Sequence, residues 1–373
     1  MPEPRIILSG GGTGGHVFPA VAVAAEIRRL APRAALLFVG RRDGMEKEAA
    51  RAAGIDYAWV PTQRLNALGA VRLLMPLWPD PPSVRQSKAI LATFKPTVVL
   101  GTGGYVSVAP VLAACSLGVP AAIHEQNAIP GRANRFLSLA PFARCVRKIM
   151  LSFEPAMRSI PRSRAVLTGL PVRREIVEPR TKADARRELG LDPDAATLLV
   201  LGGSQGAQAI NELVVAALPG LLGSGLQILH HCGAEKFDEM CRQAQLPEHA
   251  SYHPFRFSNE IWNAYRSADV VVARAGASTV AEILCCGLPS ILIPYPFSPT
   301  GDQRANAGFV AESGAGATVE QSSLTPEVLS QMVLSLVGDS ERREAMSRAA
   351  LSLARPDAAK RVAEIVLELS GSE

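Results

Sequence analysis

Short apolar runs of four to six residues recur along the chain, and each stops at a glycine or a polar turn. In the first half they are Ile6–Ser9, Ala35–Gly40, Tyr57–Val60, Val98–Gly101, Ala121–His124 and Ala165–Thr168. The second half adds Thr197–Leu201, Gln227–Cys232, Val270–Ala273 and Pro289–Ile293. Runs this short, apolar on both faces, predict buried strands of parallel sheets. Between them, apolar residues spaced three and four apart predict helices over Ala20–Leu30, Asp43–Ala53, Ser83–Phe94 and Ile210–Ala217. Three more close the sequence, around Pro326–Val337, Ser340–Leu353 and Asp357–Leu369. Strand alternating with helix predicts an α/β fold, parallel sheets wrapped by helices.

The pattern also repeats. "RIILSGGGTGGH" near the start is echoed about half a chain later by "TLLVLGGSQGAQAIN", each an apolar strand, a glycine-rich turn and a helix. Two such units predict two doubly wound domains, residues 1–167 and 168–356, changing over near "TGLPVRREI". Ligands of doubly wound sheets bind beyond the carboxyl ends of the strands. Two such domains facing one another would form a cleft with a glycine loop on each wall.

Composition agrees and narrows the setting. The 373 residues are 48% hydrophobic and 20% charged, ordinary for a globular protein long enough for two cores. The six cysteines, at 115, 145, 232, 241, 285 and 286, include no C-x-x-C pair. That argues against a disulfide framework and favours a reducing compartment. Arg5–Leu8 is too short for the apolar core of a secretory signal. Glycines and prolines break the apolar stretch 98–123, so strand, loop, helix and strand explain it better than a membrane span. The expected location is the cytoplasm.

Charge is uneven. Residues 1–165 carry 21 Lys and Arg against 9 Asp and Glu, leaving 18 against 25 for the rest and a net charge of +5. A strongly basic first half suits an anionic partner: a phosphate-rich ligand, a membrane surface or nucleic acid.

Gly10, Gly12 and Gly15 fit G-x-G-x-x-G, the fingerprint of dinucleotide-binding folds. A dehydrogenase should then place an acid at the tip of the second strand for the adenosine ribose. Here that strand ends Gly40-Arg41-Arg42, which leaves only an NADP reading open. The general content of the loop is a close backbone approach and free N–H groups at a helix N-terminus, facing a phosphate. Two such loops suggest two phosphate-bearing ligands. A third glycine cluster, "GTGGYVSVAP", follows another strand, and "IHEQN" sets His124, Glu125 and Asn127 at a sheet's carboxyl edge.

Taken together, "GGTGGHVFPA", "GTGGYVS", "HEQN", "GLPVR", "GGSQGAQAIN" and "RAGASTVAEILCCGLPSILIPYP" resemble the MurG family of peptidoglycan N-acetylglucosaminyltransferases, in order and over nearly the whole chain. The resemblance implies a GT-B fold of two Rossmann-like domains, with the final helix, 357–373, crossing back to the first. It implies inverting transfer of GlcNAc from UDP-GlcNAc to the C4 hydroxyl of undecaprenyl-diphospho-muramoyl-pentapeptide. It also implies a peripheral protein on the cytoplasmic face of the cell membrane. The anionic partners would then be the substrates and the lipid surface rather than nucleic acid.

Residue by residue, the resemblance places Thr13, Gly14 and Gly15 at the donor as well as in the acceptor-side pocket with Tyr105. Gly11, Gly12, Gly103, Gly104 and His124 fall on the acceptor side. Asn127, Arg173, Ser204, Gln205, Arg274 and Gln303 match donor-binding positions, with Ser204 meeting phosphate. Ala277, Ser278 and Thr279 match the segment along the nucleotide, and Glu282 would accept from both ribose hydroxyls. "PFRFSNEIWNAY" is longer than the family's run and puts Ser258 at a uracil contact made by main chain. Inversion needs a general base, His16 first and Glu125 second, and stabilisation of departing UDP by N–H dipoles and Arg274.

No metal or cofactor is indicated. Asp192-Pro193-Asp194 looks like a turn, and His230 and His231 point to opposite faces of a strand. Cys285 and Cys286 read as small packing residues. Residues 64–95 hold five cations against Asp80 alone, around Leu73, Leu74, Met75, Leu77 and Trp78. With Arg72, Arg85 and Lys88 they form a candidate membrane-docking segment. The alternatives are another GT-B enzyme using a UDP-sugar, such as an epimerase, and a non-catalytic sugar-nucleotide or lipid-binding scaffold.

Overall fold

The computed structural model describes residues 3–61, 81–202, 207–233, 236–244, 251–256, 258, 260–298 and 300–371. The chain divides into two compact units, Met1–Arg173 with Arg355–Glu373, and Arg174–Ala354. Each is a parallel sheet with helices packed against it, the α/β architecture read from the sequence.

In the first unit the strands are β1 (Arg5–Ser9), β2 (Ala35–Gly40), β3 (Asp56–Trp59), β4 (Val98–Gly101), β5 (Ala121–Glu125), β6 (Val146–Leu151) and β7 (Ala165–Leu167). Their order is β3-β2-β1-β4-β5-β6-β7. Both faces are covered, which is why these strands read as continuous apolar runs. Ile6, Leu8, Phe38 and Leu100 face a core that also takes α1 (Gly14–Leu30), α2 (Met45–Ala52) and α15 (Ala358–Gly371). Ile7, Val39, Val99 and Ile123 face the opposite core, with α3 (Pro81–Phe94), α4 (Val108–Ser116) and α5 (Arg132–Leu137). Alternate strand residues supply the two faces. The closing helix α15 thus completes the core of the first unit, through Val362, Ala363, Val366 and Leu369.

The second unit has β8 (Thr197–Leu201), β9 (Gln227–His231), β10 (Tyr252–Phe255), β11 (Val270–Ala273), β12 (Ser290–Leu292) and β13 (Gly316–Thr318), in the order β10-β9-β8-β11-β12-β13. Its helices are α6 (Arg174–Val177), α7 (Lys182–Glu188), α8 (Gln208–Leu222), α9 (Phe237–Ala244), α10 (Ile261–Ser267), α11 (Ala277–Cys286), α12 (Asp302–Glu312), α13 (Pro326–Gly338) and α14 (Ser340–Leu353). Leu198, Val200, Val214, Leu218, Val272, Leu329 and Val333 form its core under α8 and α13.

Three strands escape the hydrophobic pattern. β6 carries Arg147 and Lys148, β10 contains His253 and Pro254 at a sheet edge, and β13 is three residues long. Such strands are set by pairing with a neighbour rather than by their own periodicity. Helix α1 begins at Gly14, ahead of the predicted Ala20, because glycines of low helix propensity form its first turn. One cysteine expectation is corrected. Cys115, at the end of α4, and Cys145, just before β6, are paired as a disulfide with Cα atoms 5.1 Å apart. The pairing is not visible in the spacing because the topology alone brings the two ends together.

Asp192 Oδ1 accepts from the Asp194 amide at 2.9 Å, so that D-x-D is a turn. His230 is buried between Tyr252 and Asn211, with contacts of 2.9 and 3.1 Å. Among the described residues no cluster of His, Cys, Asp or Glu could hold a metal ion.

Candidate active site

Three helices begin directly beyond the carboxyl ends of central strands. Helix α1 follows β1, α8 follows β8 and α11 follows β11, and among the described residues none has a side-chain cap hydrogen bond at its N-terminus. An uncapped N-terminus after a glycine turn offers donors and a partial positive charge to a phosphate. In the first unit, the loop ahead of α1 lies against the Gly103-Gly104 turn. Gly104, at φ +75°, sits so close to the Gly11 carbonyl that a Cβ there would lie 2.2 Å from its oxygen. Only glycine at 104 lets the two loops meet at Gly11.

His16 stands in the first turn of α1 and is half-buried. Its main-chain carbonyl accepts from Thr102 Oγ1 at 2.7 Å, and its Nδ1 lies 3.0 Å from Gln126 Oε1. Gln126 belongs to the strand-end run His124-Glu125-Gln126-Asn127. His124 is wholly buried, with Nε2 2.9 Å from the Gly169 carbonyl and Nδ1 3.2 Å from Gln126 Nε2. Burial pushes its pKa down to about 4. Expected at the acceptor surface, His124 instead sits behind the loop, because both ring nitrogens are turned to internal partners.

Glu125 is also buried, at 1% exposed. Its Oε1 accepts from the Asn127 amide at 2.9 Å, and its Oε2 accepts from the Gly131 amide at 3.0 Å and from Asn134 Nδ2 at 2.7 Å. The carboxylate therefore ties down the loop that carries Asn127. Arg173 lies over the ring of Phe18, with Cζ 6.0 Å from its centroid, which sets that arginine beside the opening turn of α1.

In the second unit, Ala277, Ser278 and Thr279 form the first turn of α11. The Ser278 hydroxyl is buried without a hydrogen-bond partner among the described residues. A buried hydroxyl without a protein partner leaves a donor and acceptor open at this helix N-terminus. One turn further on, Glu282 Oε2 accepts from Tyr265 Oη at 2.7 Å. Arg274, 7% exposed at the end of β11, donates to the carbonyls of Ile293 and Pro294, each at 3.2 Å, and to Gln321 Oε1 at 2.6 Å. These partners are all neutral, and the guanidinium also lies over the Tyr295 ring, with Cζ 5.5 Å from its centroid. Gln303 Oε1 accepts from the Tyr295 amide at 2.9 Å. Asn211 is buried on α8, donating to the Cys232 carbonyl at 2.9 Å. Ser258 Oγ accepts from the Glu260 amide at 3.0 Å, a local turn contact.

Ser204, Gln205, Arg72, Leu73, Leu74, Met75, Leu77 and Trp78 lie outside the described residues. Arg85 and Lys88 are exposed on α3. No described helix is long and apolar enough to cross a membrane. Two positions that hydrogen-bond to the candidate site residues carried no signal of their own in the sequence. Gln126 was legible only as one letter of "HEQN", and Tyr265 lies in α10, in a different element from the Glu282 it donates to.

Two Rossmann-like parallel-sheet domains, with phosphate-type helix N-termini at their strand ends, define a glycosyltransferase of the GT-B class. The glycosyltransferase family 28 N-terminal domain matches residues 6–146, and the glycosyltransferase family 28 C-terminal domain matches 197–362. A UDP-N-acetylglucosamine--N-acetylmuramyl-(pentapeptide) pyrophosphoryl-undecaprenol N-acetylglucosamine transferase from Nitratidesulfovibrio vulgaris strain Hildenborough is 37% identical, covering 98% of this chain and 97% of its own. The protein of the same name from strain Miyazaki F is 39% identical, covering 96% of each. The crystal structure of Acinetobacter baumannii MurG superposes with a TM-score of 0.75 at 29% identity, covering 98% of this chain and 99% of that one. The chain belongs to glycosyltransferase family 28, among its MurG-type N-acetylglucosamine transferases.

Proposed function

We propose that the chain transfers GlcNAc from UDP-GlcNAc to the C4 hydroxyl of undecaprenyl-diphospho-N-acetylmuramoyl-pentapeptide, with inversion. The observation that carries the reading is the set of uncapped helix N-termini at the strand ends of both sheets, in a chain 37% identical over its length to transferases so named. Each substrate bears a diphosphate, and each unit offers a place for one.

On the donor side, the α11 N-terminus with Ala277, Ser278 and Thr279 takes the nucleotide, and Arg274 faces the charge that develops on departing UDP. Glu282, oriented by Tyr265, accepts from the ribose hydroxyls, and Gln303 contacts the transferred sugar through its amide nitrogen. Ser204 and Gln205 serve the same diphosphate, and Ser258 marks the uracil contact. By the family resemblance, Asn127, Arg173, Thr13, Gly14 and Gly15 are the donor-binding positions of the first unit. On the acceptor side, Gly11, Gly12, Gly103, Gly104 and Tyr105 cradle the lipid diphosphate.

The chemistry is one displacement. The muramyl hydroxyl oxygen bonds to the anomeric carbon while the bond to the UDP oxygen breaks, the electron pair leaving with the β-phosphate. The hydroxyl proton passes to a ring nitrogen of His16, in the first turn of α1. Glu125 is the weaker base because both its oxygens already accept hydrogen bonds. The basic surface of the first unit, with Arg85 and Lys88 on α3 and the 72–78 segment before it, docks the enzyme on the anionic cytoplasmic leaflet.

The experiment is transfer of label from radiolabelled UDP-GlcNAc to a short-chain lipid acceptor. Label in the lipid product is expected. Absence of label with an active control enzyme, or conversion of UDP-GlcNAc to an epimer, ends the proposal.

A further inference from the structure

Gln126 is 2% exposed, and its amide can face in only one direction. One end, Nε2, lies 2.6 Å from the Thr102 carbonyl, which can only accept, so that end is the NH2. Its second N–H points at His124, with Nδ1 and the carbonyl oxygen each 3.2 Å away. The other end, Oε1, can also only accept, and it lies 3.0 Å from His16 Nδ1. The proton in that contact must therefore sit on His16 Nδ1.

His124 closes the argument from the far side. Its Nε2 faces the Gly169 carbonyl at 2.9 Å and so carries the ring proton, leaving Nδ1 to accept from Gln126. His124 must be neutral to accept there, and burial keeps it so by lowering its pKa to about 4. A positive charge on His16 acts in the same direction on His124, lowering its pKa further. The backbone is shaped to permit the contact. At Gly103, with φ +95°, a Cβ would lie 2.8 Å from His16 Nδ1 and 3.0 Å from Gln126 Oε1.

We propose that Gln126 is a positioning residue that locks His16 in its Nδ1–H tautomer, leaving Nε2 as the unprotonated nitrogen that receives the acceptor's hydroxyl proton. Only the last clause rests on the proposed function; the tautomer stands on the hydrogen-bond geometry.

The test combines nitrogen-resolved NMR with turnover. Full-length protein carrying 15N-histidine, assigned with His16→Ala, is expected to show His16 at neutral pH with a protonated, hydrogen-bonded Nδ1 and a bare Nε2. Gln126→Leu removes the acceptor and should bring up the Nε2–H form. Gln126→Glu keeps an acceptor at Nδ1–H, retains the tautomer, and moves the acid limb of kcat/KM to higher pH by favouring the imidazolium. A predominant Nε2–H form in the unaltered protein overturns the proposal. In turnover, Gln126→Leu should lower kcat by about a hundredfold, the scale of lost base catalysis, with KM for UDP-GlcNAc little changed. In a His16→Ala background the same substitution should cost less than about threefold, because the two residues act as a unit. An equal loss in both backgrounds means a structural role alone and also overturns it. Normal turnover by His16→Ala, with the NMR as expected, removes His16 as base and supports the tautomer lock by itself.

Discussion

Glu125→Gln separates a loop clamp from a catalytic base. The native carboxylate accepts from Asn127 N at 2.9 Å, Gly131 N at 3.0 Å and Asn134 Nδ2 at 2.7 Å, and it is buried. An amide has one oxygen and one NH2 to place among donors on both sides. Its better orientation keeps the oxygen toward Gly131 and Asn134 and turns the NH2 against the Asn127 N–H. One hydrogen bond to a charged acceptor is lost, worth about 1.5–3 kcal/mol, and a donor then faces a donor. The two that remain become neutral bonds, roughly half as strong. A total of about 3–6 kcal/mol follows, which in a domain of this size lowers Tm by roughly 10–20 °C. Asn127, released from the clamp, should also raise KM for UDP-GlcNAc by about tenfold, the equivalent of about 1.4 kcal/mol. Differential scanning calorimetry and initial-rate kinetics read the two effects. Unchanged Tm and KM with kcat down by about a hundredfold or more is the signature of a lost base, and it would refute the clamp.

Four further expectations follow from the same geometry. Tyr265→Phe removes the 2.7 Å bond that orients Glu282 and should raise KM for UDP-GlcNAc about tenfold with kcat nearly constant; a change confined to kcat speaks against that role. Gly104→Ala drives a Cβ into the Gly11 carbonyl at a positive φ, so it should destabilise the first unit by more than 2 kcal/mol, roughly, and urea denaturation at native-like midpoint would show the loops can part. His124 and His230 are held neutral by burial, with pKa values of about 4 and about 3 against 6.5 when exposed. The unfolded chain therefore binds more protons between those values: the stabilisation is complete above pH 6.5 and disappears as pH falls toward 4, by about 3 kcal/mol for His124 alone. Urea melts at pH 7.5 and 5 check it, with a flatter dependence expected for His124→Asn. Finally, the protein should sediment with anionic liposomes at low salt and be released as salt rises; persistence in the supernatant rejects membrane docking by the basic segment.

The sequence by itself determined the two sheets and most of their strands. Runs such as Ile6–Ser9 and Val270–Ala273 are apolar on both faces, and only a parallel sheet covered by helices buries both. It also made the first glycine loop a candidate phosphate site, because free N–H groups behind glycines favour anions. Strands β6, β10 and β13 were beyond its reach, since charges, a proline or brevity hide a strand whose existence depends on its neighbour. So were the Cys115–Cys145 pairing and the burial of His124, which read locally like exposed or independent groups. The hydrogen-bond partners of Gln126, Glu125 and Tyr265 were decided only in three dimensions. A side chain's protonation and orientation depend on which donors and acceptors the fold packs around it. In this protein Thr102, Asn134 and Glu282, each from a different element, supply them.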